Sequence, residues 1–185
     1  MGSVKKQERF MNVLLYGIFI IYILFLLKLL VLSRMPMDSL FSREQDIKRS
    51  FTIVPFRTIG AYLWGASENT KRFAFANVAG NMIAFVPLGV YLKVFLKDQK
   101  GAHIAGMVVM ISLCIEIVQG VLGIGTADID DIILNSLGGL LGIAGYKLLV
   151  FGFKDQKKAH AVVAGLSVLG LPVLLYLLFF IRLRL

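Results

Sequence analysis

The sequence predicts an all-α membrane protein with about five transmembrane helices and an interfacial or re-entrant segment between the first two. Hydrophobic residues make up 58% of the 185 positions, and the mean hydropathy is +0.81. Soluble domains have a smaller hydrophobic fraction. Crossing a bilayer takes about 20 mostly apolar residues. Five stretches meet this length, near residues 10–32, 73–96, 103–122, 129–153 and 160–181.

We expect a single membrane domain over residues 1–185. The stretch at 10–32 follows a basic segment, as a signal peptide would, but it is too long for one and no small-residue cleavage site follows. It is therefore expected to be a retained anchor, with Lys28 extending to the interface. Segment 33–72 is polar and mixed in charge, and its apolar part is too short to span. It is predicted to be an interfacial helix, a re-entrant segment or a packed loop.

The later helices, within 73–153 and at 160–181, are joined by short connections and are predicted to run antiparallel. The net charge of +9 would suggest nucleic acid in a soluble chain. Here the basic residues flank apolar stretches, so we expect no nucleic-acid partner and contact with membrane lipids instead. The basic short loops favour a cytoplasmic N-terminus, which places segment 33–72 and the connection 123–128 on one outer face. The single cysteine, Cys114, cannot form an internal disulfide.

Polar side chains recur at helical spacing near that face. Asn81, Glu116 and Asn135 each lie about six residues from it, or about 9 Å deep at 1.5 Å per residue, and are predicted to converge. Because a carboxylate within a membrane helix is costly, Glu116 is expected to face the bundle or water. Simpler interpretations exist: Asp128 as a helix N-cap with Asp131 in the first turn, and the asparagines as interhelical contacts. The glycines at 138, 142 and 145 are expected at a close helix contact.

Three blocks resemble the signatures of VanZ-like membrane proteins, and IVPFRTI at 53–59 resembles a fourth, weaker one. The three are NMIAFVPLGVYL at 81–92, EIVQ at 116–119 and DIDDIILNSLGGLLG at 128–142. The resemblance implies a multipass protein of the bacterial plasma membrane, in a family whose namesake is associated with resistance to teicoplanin-type lipoglycopeptides. Many members carry an arginine just before the acidic run, where this chain has Gly125 and Thr126. The family pattern falls on Pro55, Phe56, Asn81, Phe85, Pro87, Gly89, Glu116, Gln119, Asp128, Asp130, Asp131, Asn135, Gly138 and Gly142.

The expected function is to bind or handle a lipid-linked envelope molecule, or the lipoglycopeptide itself, at the outer leaflet. One alternative is an intramembrane hydrolase or transferase, with Glu116, Asp130 and Asp131 as candidate acids and bases and the two aspartates as ligands of a divalent cation such as Mg²⁺. Another is a lipid transporter. Neither histidine lies near the acids, which weakens the enzyme alternative. No continuous row of polar residues reaches the opposite membrane face, which weakens the transporter alternative. The expected ligand-binding residues are Arg57, Arg72, Asn81, Glu116, Gln119, Asp128, Asp130, Asp131 and Asn135, with the arginines meeting phosphate.

Overall fold

The fold is all-α, and five of its helices are long and apolar enough to cross a membrane, so the prediction from composition is confirmed. A computed structural model describes residues 2–31, 50–52, 54–64, 67–123 and 126–180. The part of segment 33–72 that precedes residue 50 lies outside the described residues. The helices are α1 (Gly2–Leu30), α2 (Arg57–Trp64), α3 (Glu68–Phe95), α4 (Gly101–Leu122), α5 (Ile129–Phe153) and α6 (Gln156–Phe180), and the strands are β1 (Ser50–Thr52) and β2 (Thr126–Asp128).

Side chains and backbone geometry explain where the helices begin and end. The Ser67 hydroxyl accepts a hydrogen bond from the Thr70 amide at 3.2 Å and caps α3, which therefore starts before its apolar part. Asp155 accepts from the Lys157 amide at 2.8 Å at the start of α6. Gly123 ends α4 in the left-handed region with φ 63°, a conformation that glycine adopts without a steric penalty.

The described helices fall into two compact units. One holds α1, α6 and the end of α5 from Leu148 onward. Within it, the Lys28 ammonium group near the end of α1 donates to the Leu178 carbonyl near the end of α6. The other unit holds β1, α2, α3, α4, β2 and α5 as far as Lys147. Every residue predicted for the site belongs to this second unit.

Helices α3 and α5 of the second unit approach each other at glycines. A methyl group added at Gly138 or Gly142 of α5 would lie 2.1 Å from a carbonyl oxygen of α3, and one added at Gly89 of α3 would lie 2.0 Å from a carbonyl oxygen of α5. Only glycine fits at such distances. The prediction that Gly145 shares this contact is wrong, because a methyl group there would meet no atom of the described residues within 4 Å.

A short parallel pairing of β1 with β2 was not predicted from the sequence. Ser50 pairs with Thr126, Phe51 with Ala127 and Thr52 with Asp128. Because β2 leads directly into α5, the pairing fixes the described part of segment 33–72 at the start of that helix. The same segment then forms α2, a helix of 8 residues that precedes α3. Helix α2 is too short to span a bilayer.

Candidate functional site

Buried polar side chains gather at one end of the second unit. They come from the first half of α3, the second half of α4 and the first half of α5, which meet at this end because neighbouring helices run antiparallel. Among the described residues, the buried polar or charged side chains are Asn81, Ser112, Glu116, Gln119, Asp130, Asp131 and Asn135. We call these seven the polar cluster. Six of them were predicted as ligand-binding residues.

Asp131 joins α5 to α3. Its Oδ1 accepts hydrogen bonds from the side-chain amide of Asn81 at 2.6 Å and from that of Asn77 at 3.1 Å. The Asn81 side-chain amide also donates to the side-chain carbonyl oxygen of Asn77 at 3.3 Å. Asp131 thus links two helices in addition to lying in the first turn of α5. Asn77 was not among the predicted site residues, although its spacing of four from Asn81 places both on one face of α3.

Asp128 caps α5, as the simpler interpretation of the aspartate run proposed. Its Oδ1 accepts from the Asp130 amide at 2.9 Å, and the helix begins at the residue between them. Such a cap satisfies one of the amides that the first turn of a helix leaves without an intrahelical partner. Asp128 is only half-buried, so solvent or a ligand can also reach it.

Asp130 is fully buried and anchors the start of α2. Its carboxylate accepts a hydrogen bond from the backbone amide of Phe56. Phe56 has φ 65°, a left-handed conformation that costs a bulky residue about 1–3 kcal/mol. Its carbonyl accepts from the Gly60 amide at 2.7 Å and begins α2. The two hydrogen bonds hold the turn in this conformation and offset part of its cost.

Glu116 ties the end of α4 to the start of α5. Its Oε2 accepts from the Asp128 backbone amide at 2.9 Å, and the side chain is 3% exposed. A hydrogen bond to a carboxylate is stronger than one between neutral groups. Glu116 therefore has a structural contact, and its role in ligand binding stays a prediction.

Asn135 lies against α4. Its side-chain amide donates to the Ser112 hydroxyl at 2.9 Å, while its carbonyl oxygen is buried and accepts no hydrogen bond from the described residues. A buried oxygen left in this state costs about 1–3 kcal/mol. Gln119, one helical turn beyond Glu116, is also buried. Asn81, Glu116 and Asn135 thus share one end of the unit but have different partners.

Arg57 and Arg72 are exposed at this end of the second unit. Arg57 is the first residue of α2 and Arg72 lies in the second turn of α3. Both guanidinium groups are therefore accessible to solvent or to a lipid headgroup. The sequence predicted that they share one face with the acids, and the fold brings their helices to that face.

A cavity of about 210 Å³ opens beside Glu116. It is formed by β1, the second half of α4, β2 and the start of α5. Its exposed surface is almost wholly apolar, and most of its lining side chains are aliphatic. The lining residues are Thr52, Leu113, Glu116, Ile117, Ala127, Asp128, Ile129 and Ile132. Such a wall suits the apolar part of a ligand.

The hypothesis of a divalent cation at Asp130 and Asp131 finds no support in the geometry of these residues. Asp130 contacts the start of α2, whereas Asp131 contacts α3. In the part of the chain that the structure describes, no three His, Cys, Asp or Glu side chains group closely enough to hold a metal ion.

Comparisons with known proteins agree with the resemblance found in the sequence blocks. The family model described as VanZ/LLP1 matches residues 19–150. Protein VanZ from Enterococcus faecium is 32% identical over 137 residues, which are 74% of this chain and 74% of that protein. No solved structure matches the chain. The matched region contains both strands, α2 to α4 and α5 as far as residue 150, and with them the whole polar cluster.

Proposed function

The chain belongs to the VanZ/LLP1 family, and from this premise we propose that it protects a bacterial cell against teicoplanin-type lipoglycopeptides. It is a multipass membrane protein, and in this proposal it resides in the plasma membrane with the polar cluster at the outer leaflet. There it binds a lipid-linked envelope molecule or the lipoglycopeptide itself. Both ligands join an apolar chain to a headgroup rich in hydroxyl and amide donors.

The cavity beside Glu116 carries this proposal. Its aliphatic wall, which includes Leu113, Ile117 and Ile132, suits the first part of an acyl chain. Glu116 and Asp128 belong to the same wall, and their carboxylates lie behind an almost wholly apolar surface. A hydroxyl, amide or ammonium group that reaches them would form a charge-assisted hydrogen bond in a place of low water content.

The remaining polar residues extend the recognition surface. The side-chain carbonyl oxygen of Asn135 is buried and accepts no hydrogen bond from the described residues, so in this proposal a buried water donates to it and bridges to the ligand. The exposed guanidinium groups of Arg57 and Arg72 suit a phosphate or pyrophosphate, which arginine binds with two parallel hydrogen bonds. Asp130 and Asp131 act as positioning residues, because their hydrogen bonds hold the start of α2 and the first half of α3 to the start of α5.

The test replaces Glu116 with glutamine, which keeps the shape of the side chain and an oxygen that can accept from the Asp128 amide. Losing the charge removes about 1.5–3 kcal/mol per hydrogen bond to a donor on the ligand, or about tenfold or more in affinity. Glu116→Gln is expected to accumulate normally in a susceptible host and to lose protection against teicoplanin. Glu68→Gln is the matched control, because Glu68 is exposed in the first turn of α3 and should keep full protection.

Full protection by Glu116→Gln at wild-type expression would overturn the proposed site. The purified chain separates binding from catalysis. Retention of a lipid-linked precursor or of the drug without chemical conversion is the expected result. Conversion of the precursor, abolished in Glu116→Gln, would establish the enzyme alternative in its place.

A further inference from the structure

At the end of the second unit away from the polar cluster, α3 and α4 form an open apolar groove. Its volume is about 580 Å³, more than twice that of the cavity beside Glu116. None of the residues predicted for the site lines it. The groove lies chiefly between Leu92 of α3 and Ala102, His103, Gly106, Met107 and Met110 of α4.

Gly106 gives the groove its depth. The residue is exposed, and a methyl group added there would meet no atom of the described residues within 4 Å. The space is therefore open, in contrast to the glycines between α3 and α5. Met107 and Met110 flank it with flexible thioether side chains, which adapt to irregular apolar partners. The surface is suited to a hydrocarbon chain lying along α4.

Positive charge collects where the groove meets the turn between α3 and α4. Residues 93–103 contain three lysines and one aspartate. The Lys93 ammonium group donates to the carbonyls of Lys97 at 2.9 Å and Gln99 at 2.7 Å, which keeps its charge at the turn. Lys97 and Lys100 are exposed, and His103, three residues after Lys100, lines the groove.

We infer that this groove binds one anionic glycerophospholipid from the leaflet opposite the polar cluster. One acyl chain lies over Gly106 and Met107, and the phosphate lies beside Lys97 and Lys100. The apolar floor would accept any acyl chain, so the lysines make the site selective for a headgroup with net negative charge. The site does not depend on the function proposed for the polar cluster, and either one can fail without the other.

The experiment uses the full chain purified in detergent and titrated with dioleoylphosphatidylglycerol or, in parallel, dioleoylphosphatidylcholine, with bound lipid counted by native mass spectrometry. The two lipids share their acyl chains and differ in headgroup charge. A basic residue near an anionic lipid contributes about 1 kcal/mol, or about fivefold in affinity. Wild type is expected to retain the anionic lipid about 25-fold more tightly than the neutral one, because two lysines act on its headgroup. The double variant Lys97→Gln/Lys100→Gln should lose about 25-fold of that affinity and bind the neutral lipid unchanged.

Filling the groove tests the apolar half of the site. Gly106→Leu is expected to weaken binding of both lipids, because its side chain occupies the space of the acyl chain. Gly165→Leu in α6 is the matched control, since Gly165 is also exposed and open, and it should bind both lipids like wild type. Equal retention of the two lipids by wild type, or undiminished binding by Gly106→Leu, would overturn the inference.

Discussion

The close contact of α3 with α5 predicts that even alanine at Gly142 destabilises the protein. Its methyl group would lie 2.1 Å from the Val86 carbonyl oxygen, about 1.3 Å inside the shortest ordinary contact of 3.4 Å. Because the neighbour is backbone, the clash is relieved only by moving the helices apart. Overpacking of this kind costs about 1–3 kcal/mol. The movement would also lengthen the 2.6 Å hydrogen bond between Asn81 and Asp131.

Thermal unfolding of the purified chain in detergent measures this cost. For a chain of this size, 1 kcal/mol corresponds to about 2–4 °C in Tm, so Gly142→Ala is expected about 2–12 °C below the same change from glycine to alanine at an open position of the helix. Gly145→Ala is the matched control on the same helix, where a methyl group has open space. Alanine favours a helix over glycine by about 1 kcal/mol, so this control should keep or raise Tm. A Tm for Gly142→Ala equal to or above that of Gly145→Ala would refute the reasoning.

Two further predictions concern the start of α5 and the orientation of the chain. Asp128→Ser should keep wild-type Tm because serine also caps, whereas Asp128→Ala should cost about 1 kcal/mol; equal Tm values for the two would contradict the cap. In a Cys114→Ala background, Asn69→Cys should react with a membrane-impermeant thiol reagent in intact cells, whereas Gln99→Cys should react only in inverted vesicles, because the basic turn favours the cytoplasm. The reverse pattern would place the polar cluster on the inner face.

Hydropathy located the transmembrane helices because burial in lipid demands about 20 apolar residues in a row. It placed the start of α5 at 129 correctly, because the apolar stretch begins next to Asp128, which also caps the helix. It placed the starts of α3 and α6 at 73 and 160, where the structure has Glu68 and Gln156. Their first turns are polar, and a hydropathy window does not register a helix that extends beyond the apolar layer. The caps at Ser67 and Asp155 mark these starts.

Six of the seven members of the polar cluster could be predicted from the sequence, but their contacts could not. Counting residues along each helix predicted that Asn81, Glu116 and Asn135 lie at one depth. It does not predict the rotation of each helix about its axis, and this rotation brings Asn81 to Asp131. The anchoring of Phe56 by Asp130 lies next to the pairing of β1 with β2 in the sequence. Strands of three residues carry too little alternation to be read from a sequence.

The pairing of β1 with β2 also sets an order on the biosynthesis of the protein. Ser50 and its partner Thr126 are separated by α2, α3 and α4 in the sequence. At an elongation rate of about 5–20 residues per second, β1 is synthesised about 4–15 s before β2. The hydrogen bond at Phe56 must wait as well, because Asp130 follows β2. The polar cluster is therefore completed late, after two of its three helices have already been translated.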